Sequence, residues 1–120
     1  MNTQDRPWPV ELRLRSGGQS LNVSFDDGTN AVLEAEYLRV ESPSAEVQGH
    51  GAGQKKLVVG KESVIIQKLE PVGNYAIRIS FNDGHDSGLF TWDYLYELAE
   101  DKNIRWTEYL ARVAEANLSR

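Results

Sequence analysis

With 120 residues, a net charge of −5, and 40% hydrophobic against 26% charged residues, the sequence has the size and balance of one globular domain with a single core. Its 13 basic residues are scattered and outnumbered by 18 acidic ones, which argues against nucleic acid as a partner; no apolar run reaches the roughly 20 residues that a membrane helix needs, and Met1 to Val10 lacks the apolar centre of a signal peptide, so a cytoplasmic location is expected. The absence of cysteine excludes disulfides, thiolate nucleophiles and cysteine-ligated zinc or iron–sulfur centres on this chain alone.

Residues 1–9, with Pro7 and Pro9 around Trp8, read as a flexible lead-in, and residues 10–120 as the domain. From Val10 the period-two alternation of Val10, Leu12 and Leu14 predicts a half-buried strand, turned back at Ser16-Gly17-Gly18-Gln19. Ser20 to Phe25 follows as a strand with Leu21, Val23 and Phe25 inward, and Asp26-Asp27-Gly28 supplies hairpin-turn chemistry. A short strand at Ala31 to Leu33 then leads into one or two helical turns at Ala35 to Arg39, bounded by Pro43. Ser42 to Lys56, with one proline and three glycines, reads as a long surface loop.

Leu57 to Val59 and Val64 to Leu69 are β-rich, and Pro71-Val72-Gly73-Asn74 reads as a turn. Tyr75, Ile77, Ile79 and Phe81 alternate inward on the next strand, which ends at the Asn82-Asp83-Gly84 turn. Gly88 to Thr91 returns as a strand, and Thr91 is placed to cap a helix running to about Glu100. A last helix, about Ile104 to Leu118 with Asn103 as cap, carries Trp106, Leu110, Val113 and Asn117 along one stripe, with Tyr109 beside it. The expected fold is α+β: a mainly antiparallel sheet built of two hairpin-then-helix units, with helices late in the chain.

Those two units echo each other. Ser24-Phe25-Asp26-Asp27-Gly28 aligns with Ser80-Phe81-Asn82-Asp83-Gly84, Leu33 then meets Leu89, and one inserted residue brings Tyr37-Leu38 against Tyr94-Leu95. His85 stands where the first unit has Thr29, so the turn itself does not require a histidine.

The chemistry-bearing residues gather around that second turn. His85 lies among Asp83, Asp86 and Ser87, and His50 sits between two glycines in the long loop. Together His85, His50, Asp83 and Asp86 are the candidate ligands of a metal site, zinc or iron being the ions that nitrogen and oxygen donors suit. A relay of Ser87, His85 and Asp86 fails, because consecutive residues cannot form its geometry and no nucleophile elbow is present. The glycines of residues 49–53 lack the Gly-Lys-Ser/Thr ending of a phosphate loop. Phe90, Trp92, Tyr94 and Tyr96 alternate just after the turn, and aromatic residues are enriched in interface cores, so His50, His85, Phe90 and Trp92 are the candidate partner-binding residues. No catalytic residue and no cofactor is expected, with a protein partner as the first reading and a small zinc- or iron-binding module as the alternative.

Glu36-Tyr37-Leu38-Arg39, Glu70 to Ala76, and the run from Asp83 to Leu95 resemble the gamma-butyrobetaine hydroxylase-like N-terminal domain, a domain of unknown function, over about Val10 to Leu98. The resemblance implies a domain found alone in bacteria, ahead of the iron and 2-oxoglutarate oxygenase domain of carnitine-pathway hydroxylases, or beside P-loop ATPases that handle iron–sulfur clusters. In the hydroxylase version three closely spaced cysteines and a later histidine bind a structural zinc. The histidine matches His85, and the cysteine segment corresponds to Glu41 to Val47, which holds no cysteine. The resemblance therefore implies a stand-alone bacterial form without the zinc cysteines and without the oxygenase's catalytic barrel.

Overall fold

The structure, a computed structural model, describes residues 7–49 and 53–120. Its strands form two three-stranded antiparallel sheets: β1 (Pro9–Arg15), β2 (Ser20–Phe25) and β3 (Asn30–Glu34) in one, β4 (Ile66–Val72), β5 (Ala76–Phe81) and β6 (Leu89–Thr91) in the other, each with its strands in sequence order. Each sheet runs directly into a helix, α1 (Ala35–Val40) after β3 and α3 (Trp92–Glu100) after β6. A short helix α2 (Ala45–Gln48) lies between the units, and α4 (Lys102–Glu115) follows α3. The fold is α+β, made of two hairpin-then-helix units.

Alternation explains which faces meet. Leu21, Val23, Phe25 and Leu33 of the first sheet and Ile66, Ile77, Ile79, Phe81 and Phe90 of the second join Tyr37, Leu38, Leu95 and Leu98 in one continuous core. At roughly 1.5–3 kcal/mol for each fully buried large apolar side chain, this shared core holds the two units together. The Thr91 hydroxyl accepts the Tyr94 N–H at 3.1 Å, capping α3 as its sequence predicts.

Several local expectations are corrected. Val10 is exposed because the β1–β2 register slips between Pro9 and Glu11, and Leu14 is exposed as well, leaving Leu12 as the β1 residue packed against the core. Pro71 and Val72 belong to β4, an edge strand where the missing proline N–H is tolerated, and the turn falls at residues 73–75, which leaves Tyr75 exposed. Leu57 to Val59 is irregular and packs instead on the second apolar cluster of Val40, Tyr109 and Val113, where Tyr109 donates its hydroxyl hydrogen to Val58 O at 2.7 Å. The last helix starts at Lys102, with Asn103 inside it; its buried stripe is Tyr109 and Val113 with Trp106, while Leu110 faces outward. The segment from Ser42 is no surface loop at its start: Ser42 and Ser44 are buried and α2 anchors Val47 in the interior.

Candidate functional site

The two Asp-Gly turns close in the same way. Phe25 N–H donates to Thr29 O at 2.8 Å and Gly28 N–H to Phe25 O at 3.1 Å; Phe81 N–H donates to His85 O at 2.9 Å and Gly84 N–H to Phe81 O at 3.1 Å. Gly28 and Gly84 both have φ of 91°, in the left-handed region open to glycine, and Asp27 and Asp83 each accept the N–H two residues on. Backbone and carboxylate thus complete the turn, and the His85 imidazole is not used in making it.

The imidazole is enclosed instead, with its side chain 2% exposed. Its Nε2 lies 2.8 Å from Ser42 Oγ and its Nδ1 lies 3.0 Å from Glu46 Oε1. The segment after α1 is shaped to deliver those partners. Ser44 caps α2 by accepting Glu46 N–H at 3.1 Å and shares a hydrogen bond with Ser87 Oγ at 2.7 Å, while Gln48 Nε2 donates to Ser42 O at 2.8 Å. Gly88 permits the close approach: a Cβ there would sit 2.4 Å from Ser42 Oγ. A carboxylate only accepts, so the arrangement assigns the ring proton to Nδ1, donating to Glu46, and leaves Nε2 to accept the Ser42 hydroxyl, whose oxygen takes the Ser44 N–H at 3.3 Å. Burial first, and then the nearby Arg39 guanidinium, lower the imidazole below its ordinary value despite the pull of Glu46. His85 is therefore neutral at neutral pH.

A serine–histidine–carboxylate chain has the ingredients of a nucleophilic relay, but this one is turned inside out. Catalytic relays present the nucleophile to substrate and bury the acid; here Ser42 is 0% exposed and the Glu46 side chain 69%. A substrate carbonyl has no way to Ser42 Oγ.

The same segments bear on the zinc that the resemblance implies. Glu41 to Val47 does fold against His85, yet it offers serine hydroxyls and the Glu46 carboxylate in place of thiolates, Glu41 being paired with Lys55 and Arg105, and both imidazole nitrogens are already engaged. No group of three or more His, Cys, Asp or Glu side chains among the described residues is arranged to hold a metal ion. These residues do not fit the zinc site.

The other predicted residues disperse. Asp83 is held by Arg39 Nε at 2.8 Å and Lys61 Nζ at 2.6 Å. Burial works to raise its carboxyl, but Lys61, the His85 N–H and Arg39 together hold it well below the usual carboxylate range. Asp86 is exposed, and His50 lies outside the described residues. Phe90 is fully buried in the core and presents no surface to a partner. Trp92 donates its indole N–H to Asn74 O at 2.9 Å and, with Trp8, Tyr75 and Asp93, lines an open groove of ≈ 400 Å³. Sequence reasoning singled out neither Ser42 nor Glu46 as a partner of His85. The signal available for them was positional: both fall in the segment that corresponds to the family's cysteines.

The profile described as gamma-butyrobetaine hydroxylase-like, N-terminal, matches residues 12–96. Two protein structures solved in solution by NMR are similar over nearly all of the chain: one is 49% identical, with a TM-score of 0.82 over 95% of this chain and 90% of its own, and the other 45% identical, with a TM-score of 0.83 over 100% and 89%. A crystal structure from Acidithiobacillus ferrooxidans, of a protein of unknown function in the DUF971 family, is 38% identical with a TM-score of 0.63 over 76% of this chain and 91% of that one. No curated protein matches the chain significantly.

Proposed function

Since the chain belongs to the gamma-butyrobetaine hydroxylase-like N-terminal domain family, we propose that it acts as a non-catalytic accessory domain that binds a protein partner. The observation that carries this reading is a contrast: the Ser42–His85–Glu46 chain is sealed at its nucleophile, whereas Trp8, Tyr75 and Trp92 wall an open groove. Aromatic side chains beside a polar rim, here Asn74 and Asp93, are the usual makings of an interface anchor. The partner class is an iron–sulfur or oxygenase system, the company that the family resemblance implies. A metal module built on His85 would first have to give up two hydrogen bonds, which disfavours that alternative.

Affinity capture with the wild-type chain, identification of the retained protein and titration of the purified pair test the reading. Tyr75→Ala, at an exposed ring, is expected to weaken the complex by about tenfold or more while leaving the fold intact. Unchanged affinity in folded Tyr75→Ala and Trp92→Phe proteins would remove the groove as the docking surface. Stoichiometric zinc or iron that is lost in His85→Gln would favour the metal module instead.

A further inference from the structure

Glu36 belongs to neither of these arrangements. It lies in the first turn of α1, is only 8% exposed, and directs its carboxylate at Arg120: Nε donates to Oε2 and Nη2 to Oε1, both at 3.1 Å. The same guanidinium stands 5.6 Å over the Trp106 ring and reaches Glu62 at 3.3 Å. Two planar bonds to a carboxylate with an aromatic face alongside is the recognition geometry of a guanidinium, and a lysine ammonium cannot reproduce it.

The two halves of this pair are unequal. Glu36 is part of the framework, whereas the Arg120 side chain is 41% exposed and lies in the segment that follows α4. That segment is aimed by a helix-ending turn in which Asn117 takes a positive φ of 57° and Leu118 N–H donates back to Val113 O at 3.0 Å. Two cavities, of ≈ 270 and ≈ 460 Å³, both have Glu34, Glu36 and Arg120 in their walls. Lys102 in the smaller cavity pairs with Glu34 at 2.8 Å, so the carboxylates that face the guanidinium itself are Glu36 and, in the larger cavity, Glu62. A buried carboxylate without a cation is costly, so withdrawal of Arg120 would leave a receptor open for another one.

We propose that Glu36 and Trp106 form an arginine-binding site, filled in cis by Arg120 and open in trans to an arginine side chain of a basic partner segment that displaces it. This site is separate from the aromatic groove and does not depend on it. It makes Arg120 a plug whose removal unmasks binding.

The test titrates wild type, Arg120→Ala and the double variant Arg120→Ala/Glu36→Gln with N-acetyl-arginine methylamide and its lysine counterpart, following the Trp106 indole and α4 amide resonances by NMR. Arg120→Ala is expected to bind the arginine compound saturably, about tenfold tighter than wild type does and about tenfold tighter than it binds the lysine compound. The double variant is expected to lose that binding. A folded Arg120→Ala protein with no saturable shift at Trp106, or equal binding by wild type and Arg120→Ala, would overturn the site. Concentration-dependent dimerisation of wild type that disappears in Arg120→Ala would replace the partner's arginine with that of a second copy.

Discussion

The turn at Phe25–Thr29 and the turn at Phe81–His85 have the same backbone bonds, the same glycine conformation and the same aspartate cap, yet different neighbours stand behind them. Asp27 also accepts from the Tyr96 hydroxyl of α3, and Asp83 accepts from Arg39 of α1 as well as from Lys61. Each unit's helix thus reaches the other unit's turn. The exchange continues at the helix starts, where Tyr37 of α1 donates to Leu98 O in α3 and Tyr94 of α3 donates to Glu41 O just past α1, at 2.7 and 2.6 Å. The units part beyond their helices: α3 passes into α4, whereas α1 passes into the Ser42–Gln48 segment that packs on the second turn. The first unit shows the frame alone; the second shows the frame with a fastener added, and His85 is that fastener.

Position 88 carries the largest expected effect. By the alignment of Leu33 with Leu89 its counterpart is Val32, whose side chain is exposed, while a Cβ at Gly88 would collide with Ser42 Oγ. Gly88→Ala is expected to cost about 1–3 kcal/mol, as overpacking does, and Val32→Ala much less, checked by denaturant unfolding. Exchanging the turn residues tests the fastener next. His85→Thr leaves Ser42 and Glu46 without their partner and is expected to cost about 1–3 kcal/mol, whereas Thr29→His on the frame-only turn should change stability by less than about 1 kcal/mol.

Acid should act through the second turn. The His85 value is lowered from 6.5 in the folded state, so the unfolded chain binds the proton first. Its contribution is whole above 6.5 and is lost as pH falls from there through the folded value. Unfolding midpoints measured across that window should drop in wild type and drop less in His85→Thr. The smallest expected effect is the symmetric one: Tyr37→Phe and Tyr94→Phe each remove one hydroxyl-to-carbonyl bond and should each cost about 1 kcal/mol, nearly additively. Burial pushes both phenols above their ordinary value, so both stay protonated as donors.

Much of the frame was legible in the sequence because its causes are local. The alternation of Leu21, Val23 and Phe25, the Asp-Gly turns and the Thr91 cap each act within a few residues, and each was found where it was expected. The echo of Tyr37-Leu38 in Tyr94-Leu95 was visible as well, although its reciprocal bonding was not. The site was less legible, since Ser42 and His85 are 43 residues apart and Glu36 and Arg120 are 84 apart, and no spacing rule joins them. Composition misled at residues 42–48, where a proline and the glycines that follow suggested a surface loop and a single capped turn of helix buried Val47 instead. Of the predicted aromatic surface, Phe90 turned inward because β6 alternates and places it opposite Ile77.

The most direct test of the fastener is ¹⁵N NMR of the His85 ring at neutral pH, before and after stoichiometric zinc. A neutral imidazole with its proton on Nδ1, unmoved by zinc, is the predicted result. A ring protonated on Nε2, a charged imidazolium, or ring nitrogens that shift on binding zinc would contradict it.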